Sequence, residues 1–329
     1  MVRKVIRSMF MRKNGAVPFL LSILIVCMFQ MGNGTAQSPQ ADGEDASTYL
    51  LRVPVDEISL TFHAEDSSGA PLTHLTRGDM RVWDNGKMQS NILMLESFQD
   101  LPIRAGFLFD TSASMLDDLD TNRSILRLYA SNLLRADVDR AFVMQFDIEP
   151  LVRQAWTDDP ARIATGAAAV KEREDHLPIT SIFDSVYMAC RDQWPRGSGE
   201  TTGNFILLFS DGVDDDSHAY LSEAVDMCQR SRTAIYAFGN SGKSRFSAGQ
   251  KTLEELAAKT GGRVFYNPQG KHVWEDLQTI EAEQRNQYRL VYKPTALKAN
   301  GEFHTLRLDC APKGTKITAR SGYYAFPRR

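Results

Sequence analysis

The chain has 329 residues, 43% of them apolar and 24% charged, the values of an ordinary globular protein of about two domains and not of a disordered one. Five of its 38 basic residues, Arg3, Lys4, Arg7, Arg12 and Lys13, fall within the first 36 positions, where there is no acid. The rest of the chain sets 33 basic against 41 acidic residues, a net of −8, which argues against nucleic acid or an anionic membrane surface as partner.

The basic stretch ends at Lys13, an apolar run extends from Phe19 to Phe29, and the small residues Gly34-Thr35-Ala36 follow. That order is an export signal over 1–36 with cleavage after Ala36; its alternative is a retained anchor. The run falls short of the ~20 apolar residues of a membrane span, and no later stretch is long enough. The mature protein is therefore expected to be exported (periplasmic, outer-surface or secreted), with no membrane span after signal cleavage. Val26 stands before Cys27 where a lipoprotein would carry a small residue. Cleavage leaves Cys190, Cys228 and Cys310, an odd count at long spacings, so neither a disulfide framework nor a zinc cluster. Cys190 and Cys228 fall in helical patterns. They either pair across neighbouring helices or, the commoner state, sit as small buried apolar side chains.

Residues 37–48 are polar and small, as in a linker. The segment 49–100 reads as β: Ile58, Leu60, Phe62 and Ala64 alternate along a half-buried strand, and Asp84-Asn85-Gly86 follows Met80–Trp83 as a hairpin turn. From 101 to 285 strands and helices alternate. Ala105–Phe109, Arg140–Phe146, Asn204–Phe209, Ala234–Phe238 and Val264–Tyr266 are strands, the first three apolar as in a sheet covered on both faces. Ser124–Leu134, Ile182–Cys190, Tyr220–Cys228, Leu253–Ala258 and Val273–Ile280 are helices. Residues 286–329 return to β, with segments Tyr288–Tyr292, Glu302–Leu308 and Thr315–Tyr324. The α/β part is thus expected to be a doubly wound, mostly parallel, Rossmann-like sheet with helices on both faces.

In such sheets ligands bind beyond the carboxyl ends of the strands. Two of those ends are unusually polar. Phe109 leads into Asp110-Thr111-Ser112-Ala113-Ser114, and Phe209 leads into Ser210-Asp211-Gly212 and then Asp214-Asp215-Asp216. Pro178-Ile179-Thr180-Ser181 opens a helix between them. Carboxylates and hydroxyls are hard oxygen donors that suit Mg²⁺, Mn²⁺ or Ca²⁺. The acidic run 214–216 is read as a helix N-terminal charge cluster, and His176 and His218 as exposed loop histidines. No nucleophile elbow surrounds Ser112, and neither a phosphate-binding loop nor a dinucleotide fingerprint occurs.

Asp110-x-Ser112-x-Ser114 with the later Thr180 and Asp211 resembles the metal-ion-dependent adhesion site of von Willebrand factor type A domains. The chain as a whole, over about 50–326, is similar to the VWFA-related family of exported bacterial proteins, Leu75–Val82 and Gly322-Tyr323-Tyr324 included. The resemblance implies that Ser112, Ser114 and Thr180 hold one Mg²⁺ (Mn²⁺ or Ca²⁺ as alternatives) while Asp110 and Asp211 act mostly through water. It implies a position left open for the Asp or Glu carboxylate of a protein partner. It also implies that 49–100 and 286–329 pair into one small β-sandwich around the α/β insertion. Ile179 stands where the family usually has glycine, so the threonine loop departs from its pattern. The resulting expectation is a non-enzymatic protein-binding module in adhesion or complex assembly. The alternatives are a metal-assisted hydrolase and a structural envelope module without the ion.

Overall fold

The computed structural model describes residues 57–172, 179–194, 201–239, 248–266 and 271–326. The expected signal and linker, residues 49–56, His176 and Pro178 lie outside them. Among the described residues no helix is long and apolar enough to cross a membrane.

The chain opens with β1 (Ile58–Glu65), β2 (Met80–Asp84), β3 (Lys87–Gln89) and β4 (Ile92–Phe98). Asn85 and Gly86 take φ of 48° and 73° between the paired ends Asp84 and Lys87, the two-residue hairpin expected of Asn-Gly. The α/β part follows: β5 (Ile103–Asp110), α1 (Leu119–Asn132), β6 (Arg140–Phe146), β7 (Leu151–Thr157), α2 (Pro160–Ala169), α3 (Ile182–Asp192) and β8 (Gly203–Phe209). It continues with α4 (Leu221–Arg230), β9 (Thr233–Gly239), α5 (Ala248–Thr260), β10 (Val264–Tyr266) and α6 (Lys271–Arg285). The last strands are β11 (Gln287–Tyr292), β12 (Phe303–Cys310), β13 (Lys316–Ala319) and β14 (Gly322–Tyr324).

Six strands form one sheet in the order β10-β9-β8-β5-β6-β7, parallel throughout except for β7, which runs antiparallel to β6 at the edge. The apolar runs are explained by burial on both faces. On β5, Phe107 and Phe109 join α1, α2 and α6 in one cluster, while Leu108 faces a second cluster with α3, α4 and α5. This is the mostly parallel, helix-flanked sheet expected from the strand–helix alternation. Strand order reverses at β5: the chain first builds outward through β6 and β7, then returns to β8 on the other side. The carboxyl ends of β5 and β8 therefore flank the switch point.

The outer strands form two four-stranded sheets, β13-β1-β11-β4 and β14-β12-β2-β3. Each joins segments from before and after the α/β part: β1 pairs with β11, and β2 with β12. Leu60 and Phe62 of β1, Leu290 and Tyr292 of β11, and Met80 and Val82 of β2 share one hydrophobic cluster. The segment Thr315–Tyr324 is two strands and not one: β13 pairs with β1, and after Arg320-Ser321 the chain moves to β12 in the other sheet.

Cys190 and Cys228 are disulfide-bonded, with Cα atoms 5.0 Å apart. The reading as separate buried apolar side chains is thus corrected. Packing of α3 against α4 on one face of the sheet brings the two positions together. Cys310 is free. At the amino end of the sheet, fully buried Asp139 accepts hydrogen bonds from the N–H groups of Ile103 and Arg135 and from Arg285 (3.0 and 2.7 Å). Burial alone would raise its carboxyl, but these donors outweigh it and hold it below the usual range.

Candidate metal centre

Apolar β5 ends on Asp110, which is 1% exposed. Its Oδ1 accepts the Ser112 N–H (3.0 Å) and its Oδ2 accepts the Ser210 hydroxyl (2.7 Å), so one carboxylate fastens the loops after β5 and β8 to each other. Thr111 anchors the first loop to β6, donating both its N–H and its hydroxyl to the Phe146 carbonyl (2.8 and 3.1 Å). Ser112 then begins a 3₁₀ turn over Ala113–Asp118 and brings its Oγ within 3.3 Å of Ser114 Oγ. Two oxygens bound at right angles to one ion lie about 3 Å apart for Mg²⁺ and about 3.5 Å for Ca²⁺, given usual metal–oxygen distances. The observed spacing accommodates either.

Burial pushes the Asp110 carboxyl up to about 6, against the hydrogen bonds from Ser112 and Ser210 and with added repulsion from nearby Asp211. No Lys or Arg pairs with it among the described residues. Asp211 follows β8, and its Oδ1 accepts the Val213 N–H (3.0 Å). Gly212, at φ 83°, packs so tightly that a Cβ would lie 2.0 Å from the Gly249 carbonyl oxygen at the start of α5. Backbone contact with α5 thereby fixes the position of the Asp211 loop.

Thr180 is 2% exposed. Its carbonyl accepts the Asp215 N–H (2.8 Å), and the Ser181 N–H donates to the Asp147 carbonyl at the end of β6 (2.8 Å). Asp214 Oδ1 accepts from the N–H groups of Ile182 and Phe183 (2.7 and 3.2 Å) and from Ser217 Oγ (2.6 Å). The acidic run therefore does act at a helix N-terminus, but at that of α3, the helix Thr180 opens, and not of the α4 that follows it. Helix α4 begins with its own Tyr220–Glu223 capping contact (2.9 Å). His218 is exposed and lies 3.2 Å from Asp184.

Asp110, Ser112 and Ser114 are thus in direct contact, Asp211 is coupled to Asp110 electrostatically, and Thr180 is tied to the 211–217 loop by backbone bonds. Two contributors were not assigned from sequence: Ser210, the first polar residue after an apolar run, and Asp214 as the cap that joins the loops. The donor set is hydroxyl-rich with two carboxylates, hard-oxygen chemistry that fits Mg²⁺, Mn²⁺ or Ca²⁺. Among the described residues no three of His, Cys, Asp and Glu gather as ligands, so a metal held here depends on the serine and threonine oxygens.

No family model and no curated protein matches the chain. Among solved structures it is similar to proximal thread matrix protein 1 from the mussel byssus (15% identity, 56% of this chain and 49% of that one, TM-score 0.43). It is also similar to the conserved hypothetical protein BatB from Bacteroides thetaiotaomicron (16%, 54% and 97%, 0.41). A third likeness is to the vWF domain of the type V pili tip protein Mfa5 from Porphyromonas gingivalis (12%, 55% and 95%, 0.43). The chain spans about half the length of the byssus protein. Likenesses this remote leave the fold to be judged on strand order and burial. With six strands ordered around a switch point at β5, helices on both faces and oxygen-rich loops meeting there, the α/β part of the chain is a doubly wound, mostly parallel α/β domain.

Proposed function

We propose that the protein is an exported, non-enzymatic binding module that grips an Asp or Glu carboxylate of a protein partner through one divalent cation, Mg²⁺ in the first instance. Ser112, Ser114 and Thr180 would supply hydroxyl oxygens, with Asp110 and Asp211 as outer carboxylates. The ion would act as a Lewis acid that remains electrophilic because its near ligands are mostly neutral, and so favours an external anion. The observation that carries the reading is the Ser112–Ser114 oxygen pair beside a buried Asp110 that no cation partners among the described residues, at the switch point of the sheet. Binding is preferred to hydrolysis because no Glu or His occurs in the three motifs to serve as a base. The segments 49–100 and 286–329 are proposed to form one β-sandwich that carries the α/β insertion 101–285. Retention of the full-length protein on an immobilised glutamate-rich peptide in Mg²⁺, with release by EDTA, tests the function. Retention unaffected by EDTA would contradict it.

A further inference from the structure

A cavity of about 150 Å³ lies between the six-stranded sheet and the sheet containing β1, at the amino-terminal end of β9 and so away from the candidate metal centre. Among the described residues that line it, Glu283 is the only acid, and it is already engaged: it pairs with Arg263 and accepts the Tyr236 hydroxyl (2.8 Å). The cationic side is not balanced in the same way.

Arg320, in the link between β13 and β14, pairs with no carboxylate among the described residues. Its terminal nitrogens donate to two neutral acceptors, Gln229 Oε1 (3.1 Å) and the Ser59 carbonyl (3.0 Å). Its Nε is out of solvent and has no hydrogen-bond partner among the described residues. Burial pushes this guanidinium down to about 10, an effect that the more distant Asp226 carboxylate offsets only in part. His63 is 3% exposed. Its Nδ1 lies 2.6 Å from the Asn286 carbonyl, which can only accept, so Nδ1 carries the proton. Its Nε2 is then a buried acceptor without a hydrogen-bond partner among the described residues; the Glu65 carboxylate, itself paired with Lys316 (2.6 Å), lies 3.7 Å from it. Arg232, exposed in the turn between α4 and β9, has a left-handed backbone (φ 55°) that Asn or Gly adopts more readily. An arginine there lines the cavity at a conformational cost.

We propose that this cavity binds a small hydroxylated oxyanion of the phosphate class, with Arg320 as its half-buried cationic partner, Arg232 on the solvent side and His63 Nε2 accepting from the P–OH group. Guanidinium forks match tetrahedral oxyanions in geometry as well as charge. The volume exceeds what a single water requires, and the donors and the buried acceptor suit hydrogenphosphate together. This site is independent of the metal reading: its residues lie at the other end of the sheet.

The test is calorimetric titration of inorganic phosphate into the full-length protein in EDTA, at ionic strength matched with chloride, together with thermal unfolding. Expected are saturable one-site binding, a rise in Tm with phosphate, and a Kd raised about tenfold or more by Arg320→Gln, as loss of a charged hydrogen bond implies. Arg232→Asn, which keeps the left-handed turn and removes an exposed side chain, is expected to weaken binding without altering the fold. No saturable phosphate binding by the unaltered chain, or an unchanged Kd in Arg232→Asn with the circular dichroism intact, would overturn the proposal.

Discussion

Removing the Cys190–Cys228 bridge by alanine substitution at both positions is expected to lower stability by 2–4 kcal/mol, about the loss typical of a disulfide. The bridge joins positions separated by 38 residues. The chain-entropy relation gives about 3.9 kcal/mol at 25 °C for a loop of that length, an upper value because strain and residual unfolded structure reduce it. Both residues sit in the cluster between the sheet, α3 and α4, at 2% and 0% exposure, so losing two sulfurs adds a packing cost of order 1 kcal/mol. Urea unfolding of the oxidised protein, the reduced protein and the double variant separates these contributions. Reductant should lower the midpoint of the unaltered chain and leave the variant unmoved. Alkylation after unfolding without reductant should label Cys310, and Cys27 where it is retained, but neither Cys190 nor Cys228. Labelling at either of those two, or a midpoint that reductant does not shift, would refute the bridge and restore the reading of two buried thiols.

Gly212→Ala should cost about 2 kcal/mol or more and weaken divalent-ion binding. Its Cβ would meet backbone 2.0 Å away and its φ of 83° disfavours a side chain, so the Asp211 loop must move; unchanged ion affinity would contradict this. Arg285→Ala should destabilise by about 3 kcal/mol in urea unfolding, because it takes from buried Glu281 (6% exposed) its cationic partner and from Asp139 (0%) one of two, leaving Arg135. A loss under about 1 kcal/mol would mean that Arg135 alone satisfies Asp139. Burial holds His63 below its usual range. The unfolded chain therefore takes up that proton first, and this contribution to stability is complete above a pH of about 6.5 and falls as pH drops below it. His63→Gln should flatten that limb of the pH profile, and an unchanged slope would argue against a buried neutral imidazole.

The sheet was legible because burial on both faces writes itself as apolar runs, as in Ala105–Phe109 and Asn204–Phe209, with polar breaks at Asp110 and Ser210. The edge was not. Strand β7 is half-exposed, holds Arg153-Gln154 at its centre and pairs irregularly with β6, so it shows neither an apolar run nor clean alternation. Helix α2 offers only Ile163 among its larger apolar residues, so its one local signal is Asp159-Pro160, a cap followed by proline at the first helical position. The residues of the candidate centre stand in the sequence as a spaced set of oxygen donors. What joins them was not legible, because Ser210 to Asp110 and Asp214 to α3 are contacts between segments 100 and about 30 residues apart. The pairing of Cys190 with Cys228 likewise depends on α3 and α4 sharing a face, which no local pattern encodes.

The central claim is tested most directly by calorimetric titration of Mg²⁺ and Mn²⁺ into the EDTA-stripped full-length protein, with Asp110→Ala and Thr180→Ala alongside. Saturable binding of one ion, abolished by Asp110→Ala and weakened by Thr180→Ala, is the predicted result. No binding even with acetate added to supply an external carboxylate, or binding untouched by Asp110→Ala, would contradict it.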